Sequence, residues 1–220
     1  MDTLAVELRT RVTATNDLRV ALAEAIESTA ALLELHPGAS PSSTVAVVRV
    51  GPTTVDLIVL GDAAVVVGTV DDDEHVYVDD RLELLDLPAA DRYRERLATG
   101  AGYDPEHRRI LQDLQRAEGR HRNQPGGFWV AEAEPAAADH ALTASYPRDR
   151  VVWVVAATDG AFDVLPSVGV DWQAVAQEGS SGLRELLHRC RAWEATADPN
   201  GQALPRAKRH DDKTIAVIRP

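Results

Sequence analysis

The stretch Thr54-Val55-Asp56-Leu57-Ile58-Val59-Leu60-Gly61-Asp62-Ala63-Ala64-Val65-Val66-Val67 decides the fold of this chain. Its two halves are aliphatic or β-branched almost without a break, the composition that a buried pleated strand selects. A single Gly-Asp pair stands between them. Upstream, residues 44–50 have the same character, and Gly51-Pro52 links them to Thr54 as a hairpin. Taken alone, Gly61-Asp62 is also a standard two-residue hairpin turn. That reading makes residues 44–50, 54–60 and 63–70 a three-stranded antiparallel meander, with residues 75–78 as a short fourth strand.

Helical patterns surround this block. Asn16-Asp17 is an N-cap for a run in which Leu18, Leu22, Ala25, Ile26, Thr29, Leu32 and Leu33 recur at helical spacing. Pro37-Gly38 closes it. Residues 91–97 and 105–122 are charged helical patterns, the second with Leu111, Leu114 and Ala117 on one side. After Pro125-Gly126-Gly127, residues 128–131 read as a strand, and residues 134–145 as a helix opened by Pro135. Residues 151–157, Val-Val-Trp-Val-Val-Ala-Ala, have the length and composition of a fully buried strand. Residues 170–177 and 180–195 are helical, and residues 214–218 form the last strand. Strands and helices in separate blocks predict an α+β fold in one domain, residues 1–220, with a polar loop at 196–209 and no internal repeat.

Composition narrows the function. Hydrophobic residues make up 45% of the chain, enough for a folded globular core. Lys and Arg number 23 against 35 Asp and Glu, a net charge of −12. That excess of acid argues against a nucleic-acid surface, which needs cations to displace counterions. A phosphorylated substrate would also be repelled unless cations sit in the site. The lone cysteine, Cys190, excludes an internal disulfide and reads as a buried, inert thiol of a reducing compartment. Residues 1–12 lack the apolar region of a secretory signal, and the apolar run at 151–157 is too short to span a bilayer. A soluble cytoplasmic protein without membrane or nucleic-acid partners is expected.

Three acidic motifs are fixed to the ends of the apolar runs: Gly61-Asp62, Asp159-Gly160-Ala161-Phe162-Asp163, and Asp211-Asp212-Lys213-Thr214. Carboxylates at strand ends are what holds a hard divalent cation in a cage of oxygens. Each motif also has a plainer reading. Gly61-Asp62 is a turn, Asp159 an N-cap for the residues after it, and Asp211-Asp212 part of a surface network with Arg206, Lys208 and Arg209. His121 and His210 are placed to touch phosphate or metal, or are solvated residues at loop and helix ends. The acidic run at 71–74 reads as solvated surface, and Trp129, Trp153, Trp172 and Trp193 as packing.

Together, and in this order, the motifs resemble those of the metal-dependent protein phosphatases of the 2C type. In that family a Ser/Thr-Thr-Ala segment opens a strand and a Gly-Asp-Ser-Arg turn follows. An apolar strand later runs into Ser-Asp-Gly, and Asp-Asn-x-Thr precedes the closing strand. Here the stretches are Ser42-Ser43-Thr44-Val45-Ala46, Leu60-Gly61-Asp62-Ala63, Ala157-Thr158-Asp159-Gly160 and Asp211-Asp212-Lys213-Thr214. The resemblance covers roughly residues 18–220. It implies an antiparallel β-sandwich flanked by helices on both faces, and hydrolysis of phosphoserine or phosphothreonine in a phosphorylated protein. The family uses two Mn²⁺ or Mg²⁺ ions, about 3.5–4 Å apart, to activate water. Asp159, with Gly160 beside it, and Asp211 match the family's first metal site. Asp62 and Asp163 fall where an additional metal is held.

The chain also departs from the family. The family's first Asp-Gly motif has no counterpart, since Asp2 and Asp17 are the only aspartates before Leu18 and neither precedes Gly. Ala63 replaces the usual Ser and Asp212 the usual Asn. The expectation is therefore an amino-terminally incomplete member. Either the gene starts upstream of Met1, or the domain is a non-catalytic protein-binding module that retained the sandwich.

Overall fold

The computed structural model describes residues 2–220. Seven strands are present among them: β1 (Val45–Val50), β2 (Thr54–Leu60), β3 (Ala64–Thr69), β4 (Glu74–Val78), β5 (Leu142–Pro147), β6 (Val151–Ala157) and β7 (Ile215–Ile218). All pair antiparallel, in two sheets of order β1-β2-β5 and β4-β3-β6-β7. β2 and β3 thus lie in different sheets, and the expected three-stranded meander does not form. Gly61-Asp62 is a crossover between sheets, not a hairpin turn.

The reason lies in how much β2 and β3 must bury. Every β3 residue is buried, as are five of the seven in β2, so both need cover on two faces. Side chains alternate along a strand, and these do. Val55, Leu57 and Val59 of β2 meet Val65 and Val67 of β3 between the sheets, together with Val151 and Val154 of β6. Ile58 and Leu60 point the other way, as does Val66 on β3, each into a helical layer. Gly61 makes the crossover possible. Its φ is +80°, and a Cβ there would lie 2.7 Å from Thr44 Cγ2.

Helices cover both outer faces. α1 (Asp2–Arg11) and α2 (Leu18–Leu32) lie over the first sheet, with Leu8, Leu18, Leu22, Ala25 and Ile26 packed on Ile58 and Leu60. Asp17 caps α2 by accepting from Arg19 N–H. α3 (Pro88–Ala98) and α4 (Pro105–Glu118) form a hairpin joined through Ala89, Ala90 and Leu114. The short α5 (Asp159–Phe162), α6 (Trp172–Gln177) and α7 (Ser180–Thr196) lie on the second sheet, where Val175, Leu186 and Cys190 meet Val66, Trp153 and Val155. The result is an α+β, antiparallel β-sandwich flanked by helices on both faces.

The spacing of Leu4, Leu8 and Val12 puts them on one face, which packs α1 on the α2 cluster. Two local expectations are corrected. Residues 128–131 form only isolated bridges, Ser43 with Ala131 and Arg122 with Phe128. The side chains of residues 128–131 are all buried, and the Asn123 side chain takes the Val130 N–H that a ladder would use. Residues 134–145 are not one helix. A 3-10 turn ends at His140 and β5 follows, where half-buried Leu142, Ala144 and Tyr146 alternate with exposed residues. Pairing with β2 favours the twofold period over the helical one. No helix among the described residues is long and apolar enough to cross a membrane.

Candidate functional site

Strand register brings the acidic motifs together. Ala64 at the start of β3 pairs with Ala157 at the end of β6, and Ala157 pairs with Ile215 at the start of β7. On the other side Ala64 pairs with Val78 at the end of β4. Residues just beyond these ends must therefore emerge at one edge of the second sheet. They are Asp62, Asp79, Asp159 and the loop carrying Asp211. These four line one cleft of about 520 Å³ with Asp163, Glu83 and Glu118, opposite an apolar wall that includes Leu87, Tyr93 and Leu114 of the α3–α4 hairpin.

α5 shapes the floor. Its single turn begins at Asp159, and Asp163 N–H donates to the Asp159 carbonyl at 2.9 Å, so both residues line the cleft. Gly160 is buried, and a Cβ on it would lie 2.7 Å from the Asp212 carbonyl oxygen and 3.0 Å from Asp211 Cβ. Only glycine lets the Asp211 loop approach this closely. Thr158 fastens the same contact. Its N–H donates to Thr214 O at 3.1 Å, its Oγ1 accepts from Thr214 N–H at 3.0 Å and donates to Asp212 O at 3.2 Å.

The electrostatics follow from crowding acids in a half-buried space. Burial, and then the Asp159 charge, push Asp62 up to about 6. Burial and the charges of Asp159, Glu83, Asp62 and Asp211 do the same for Asp163, to about 6. Burial also raises Asp159, against the hydrogen bond it accepts from Gly160 N–H, and it raises Glu118. Among the described residues, Asp62, Asp159 and Asp163 have no ion-pair partner. Asp211 does, because Lys208 Nζ lies 2.9 Å from its Oδ1. Asp79 is also paired, with Arg81 Nε 2.7 Å from its Oδ1.

Hard carboxylate oxygens suit a divalent cation, but the described residues do not complete a cage. No three of their His, Cys, Asp or Glu side chains meet as a ligand group. The four sequence-predicted aspartates share a cleft and sense one another's charge without converging on one point.

Other candidates are placed elsewhere. His121 does not line the cleft, and His210 is held through Nδ1 by Glu194 at 2.9 Å. Cys190 is fully buried, which raises its thiol. Residues 71–74 are exposed. Glu83, Glu118 and Asp79 joined the cleft unannounced, since each lies in a polar stretch that reads equally as surface. Glu194 carried a signal: it stands four residues after Cys190 and eight after Leu186, on the buried stripe of α7.

No known family profile matches the chain, and no curated protein sequence matches it. Solved structures similar to it include PppA, a key regulatory component of T6SS in Pseudomonas aeruginosa. That match is 14% identical, covers 99% of this chain and 77% of that one, and has a TM-score of 0.48. The serine-threonine phosphatase 2C of Toxoplasma gondii is 13% identical over 98% of this chain and 77% of its own, with a TM-score of 0.45. A sex determining protein of C. elegans is 13% identical over 98% of this chain and 50% of its own, at 0.43. Likeness at this level concerns layout and assigns no residue a role.

Proposed function

We propose that this chain is a phosphatase-like domain of the 2C type, acting in the cytoplasm on proteins that bear phosphoserine or phosphothreonine. Its acidic cleft is the site, and Mn²⁺ or Mg²⁺ the cation that site attracts. The observation that carries this reading is the convergence of Asp62, Asp159 and Asp211, from three strand ends remote in sequence, on one half-buried cleft. Asp62 and Asp163 lack a cation partner and are raised to about 6, as expected of carboxylates whose counter-charge comes from outside the chain. Without such a charge the cleft repels a phosphomonoester. A divalent cation held among Asp62, Asp159, Asp163 and Asp211 would supply that charge and Lewis acidity toward phosphoryl oxygens. In this scheme Gly160 and Thr158 set the distance between Asp159 and the Asp211 loop. Asp62 and Asp163 hold the rim negative, and the apolar wall excludes water.

A second reading has its own support. No ligand group is complete among the described residues, and Lys208 already neutralises Asp211. Both suit a non-catalytic module that binds a protein partner. Manganese titration by electron paramagnetic resonance, paired with hydrolysis of a small aryl phosphate and a phosphothreonine peptide, separates the two. The expected result is weak Mn²⁺ binding that Asp159→Asn abolishes, with slow turnover. Robust turnover would eliminate the second reading, and Mn²⁺ binding unchanged in Asp159→Asn would eliminate the first.

A further inference from the structure

We infer that Glu194, a fully buried carboxylate on α7, is the positioning residue that holds the Asp211 loop against the Asp159 turn. Residues 197–214 contain no helix or strand, so no backbone ladder determines where Asp211 sits. Side chains must do it. Glu194 has no solvent exposure and takes two cations, Arg206 and Lys213, and the His210 imidazole from this loop, on both sides of Asp211 in sequence. Lys213 Nζ donates to its Oε1 at 2.5 Å, His210 Nδ1 lies 2.9 Å from Oε2, and Arg206 Nε is 3.8 Å from Oε1. Lys213 also donates to the Asp211 carbonyl at 3.2 Å, so one ammonium ties the carboxylate to the backbone of the cleft residue.

Arg206 extends the tie. Its Nη1 donates to Asp198 Oδ2 at 2.6 Å and its Nη2 to Asp198 O at 2.7 Å, while Asp198 accepts the Ala203 and Leu204 N–H groups. These bonds fold the loop back on the residues that follow α7, where Arg206 also faces Glu194. Position matters as much as pairing. Leu186, Cys190 and Glu194 fall on one stripe, the first two packed on the second sheet, so the helix that anchors the loop is anchored to the strands that deliver Asp62 and Asp159. A buried carboxylate is tolerated when cations and hydrogen bonds surround it, and removing it leaves those cations uncompensated. Its charge is fully engaged by the loop, which separates its role from that of the free cleft acids.

The functional meaning of this assignment rests on the phosphatase-like reading, but its test does not. Residue-resolved amide exchange by nuclear magnetic resonance on the full chain compares wild type with Glu194→Gln. The Asp212 amide, bonded to Asp211 Oδ1, and the Thr214 amide, bonded to Thr158 Oγ1, report the loop. Both should exchange on the order of tenfold faster, while Val66 and Val155 in the sheet keep their rates. Mn²⁺ affinity should fall by a similar factor, with partial recovery in Glu194→Asp. Unchanged loop amides would overturn the assignment, and so would a uniform rise across the sheet, which marks a general stability role. Should Glu194→Gln not fold, Lys213→Met gives the same readout with the carboxylate still paired to His210. If wild type binds no Mn²⁺, the cation site falls, while the exchange data still decide the role of Glu194.

Discussion

The two helical coverings of the sandwich are built on different terms. On the first sheet, α2 turns inward a stripe of Leu18, Ala21, Leu22, Ala25 and Ile26, with Thr29 as its only polar member. On the second sheet, α7 begins the same way with Leu186 and Cys190 and then buries Glu194. Burial of the first kind stabilises in proportion to apolar area and asks for no partner. Burial of the second kind requires Arg206, His210 and Lys213 to arrive together. The acidic cleft opens on the side of the charged covering. One half of this molecule is scaffold, and the other also holds unlike charges in fixed places.

The largest effect should come from the scaffold half. Leu22 has no solvent exposure, and Leu22→Ala should cost about 2–5 kcal/mol in urea unfolding, from lost transfer energy and the cavity left behind. Mn²⁺ affinity of the folded fraction should not change. A parallel loss of affinity would show that the two halves are not separable.

Gly160→Ala probes the seam. The added methyl would meet the Asp212 carbonyl oxygen at 2.7 Å, so backbone must move, at a cost of about 1–3 kcal/mol. Thermal unfolding should register that cost, and Mn²⁺ binding should drop to background because the Asp211 loop is displaced. Retained binding would mean that the close approach is not what assembles the site.

The smallest effect is a gain. Asp62 ionises at 3.8 when unfolded and only at about 6 in the fold, so between those values the folded state holds the extra proton. Its penalty is absent below the unfolded value, builds as pH rises, and is complete above about 6. Asp62→Asn should therefore stabilise by about 1–2 kcal/mol at about pH 8, after discounting for partial solvation, and by almost nothing at about pH 3, below the unfolded value. Urea midpoints at the two pH values check this. A pH-independent gain would trace the effect to packing rather than charge.

Much of this architecture was legible locally. The Leu18, Leu22, Ala25, Ile26 spacing reads as α2, and Asp17 is its cap. Residues 151–157 read as a strand at their true boundaries. Where reading along the chain failed, a partner elsewhere was responsible. Residues 142–147 become β5 because β2 offers an edge, and residues 128–131 lose their ladder to Asn123 and Ser43.

Gly61-Asp62 marks the boundary most clearly. The sequence determined that the chain turns there and that both flanking runs are buried, because glycine permits a φ of +80° and aliphatic runs avoid water. It could not say whether those runs pair edge to edge or stack face to face, since either arrangement buries them. Tertiary structure chose stacking, because only two sheets with helices on both sides cover β2 and β3 completely. The same choice decided the site. Asp62, Asp159 and Asp211 were identifiable as acids at strand ends, but which ends meet depends on the order β4-β3-β6-β7, a long-range property that no local pattern encodes.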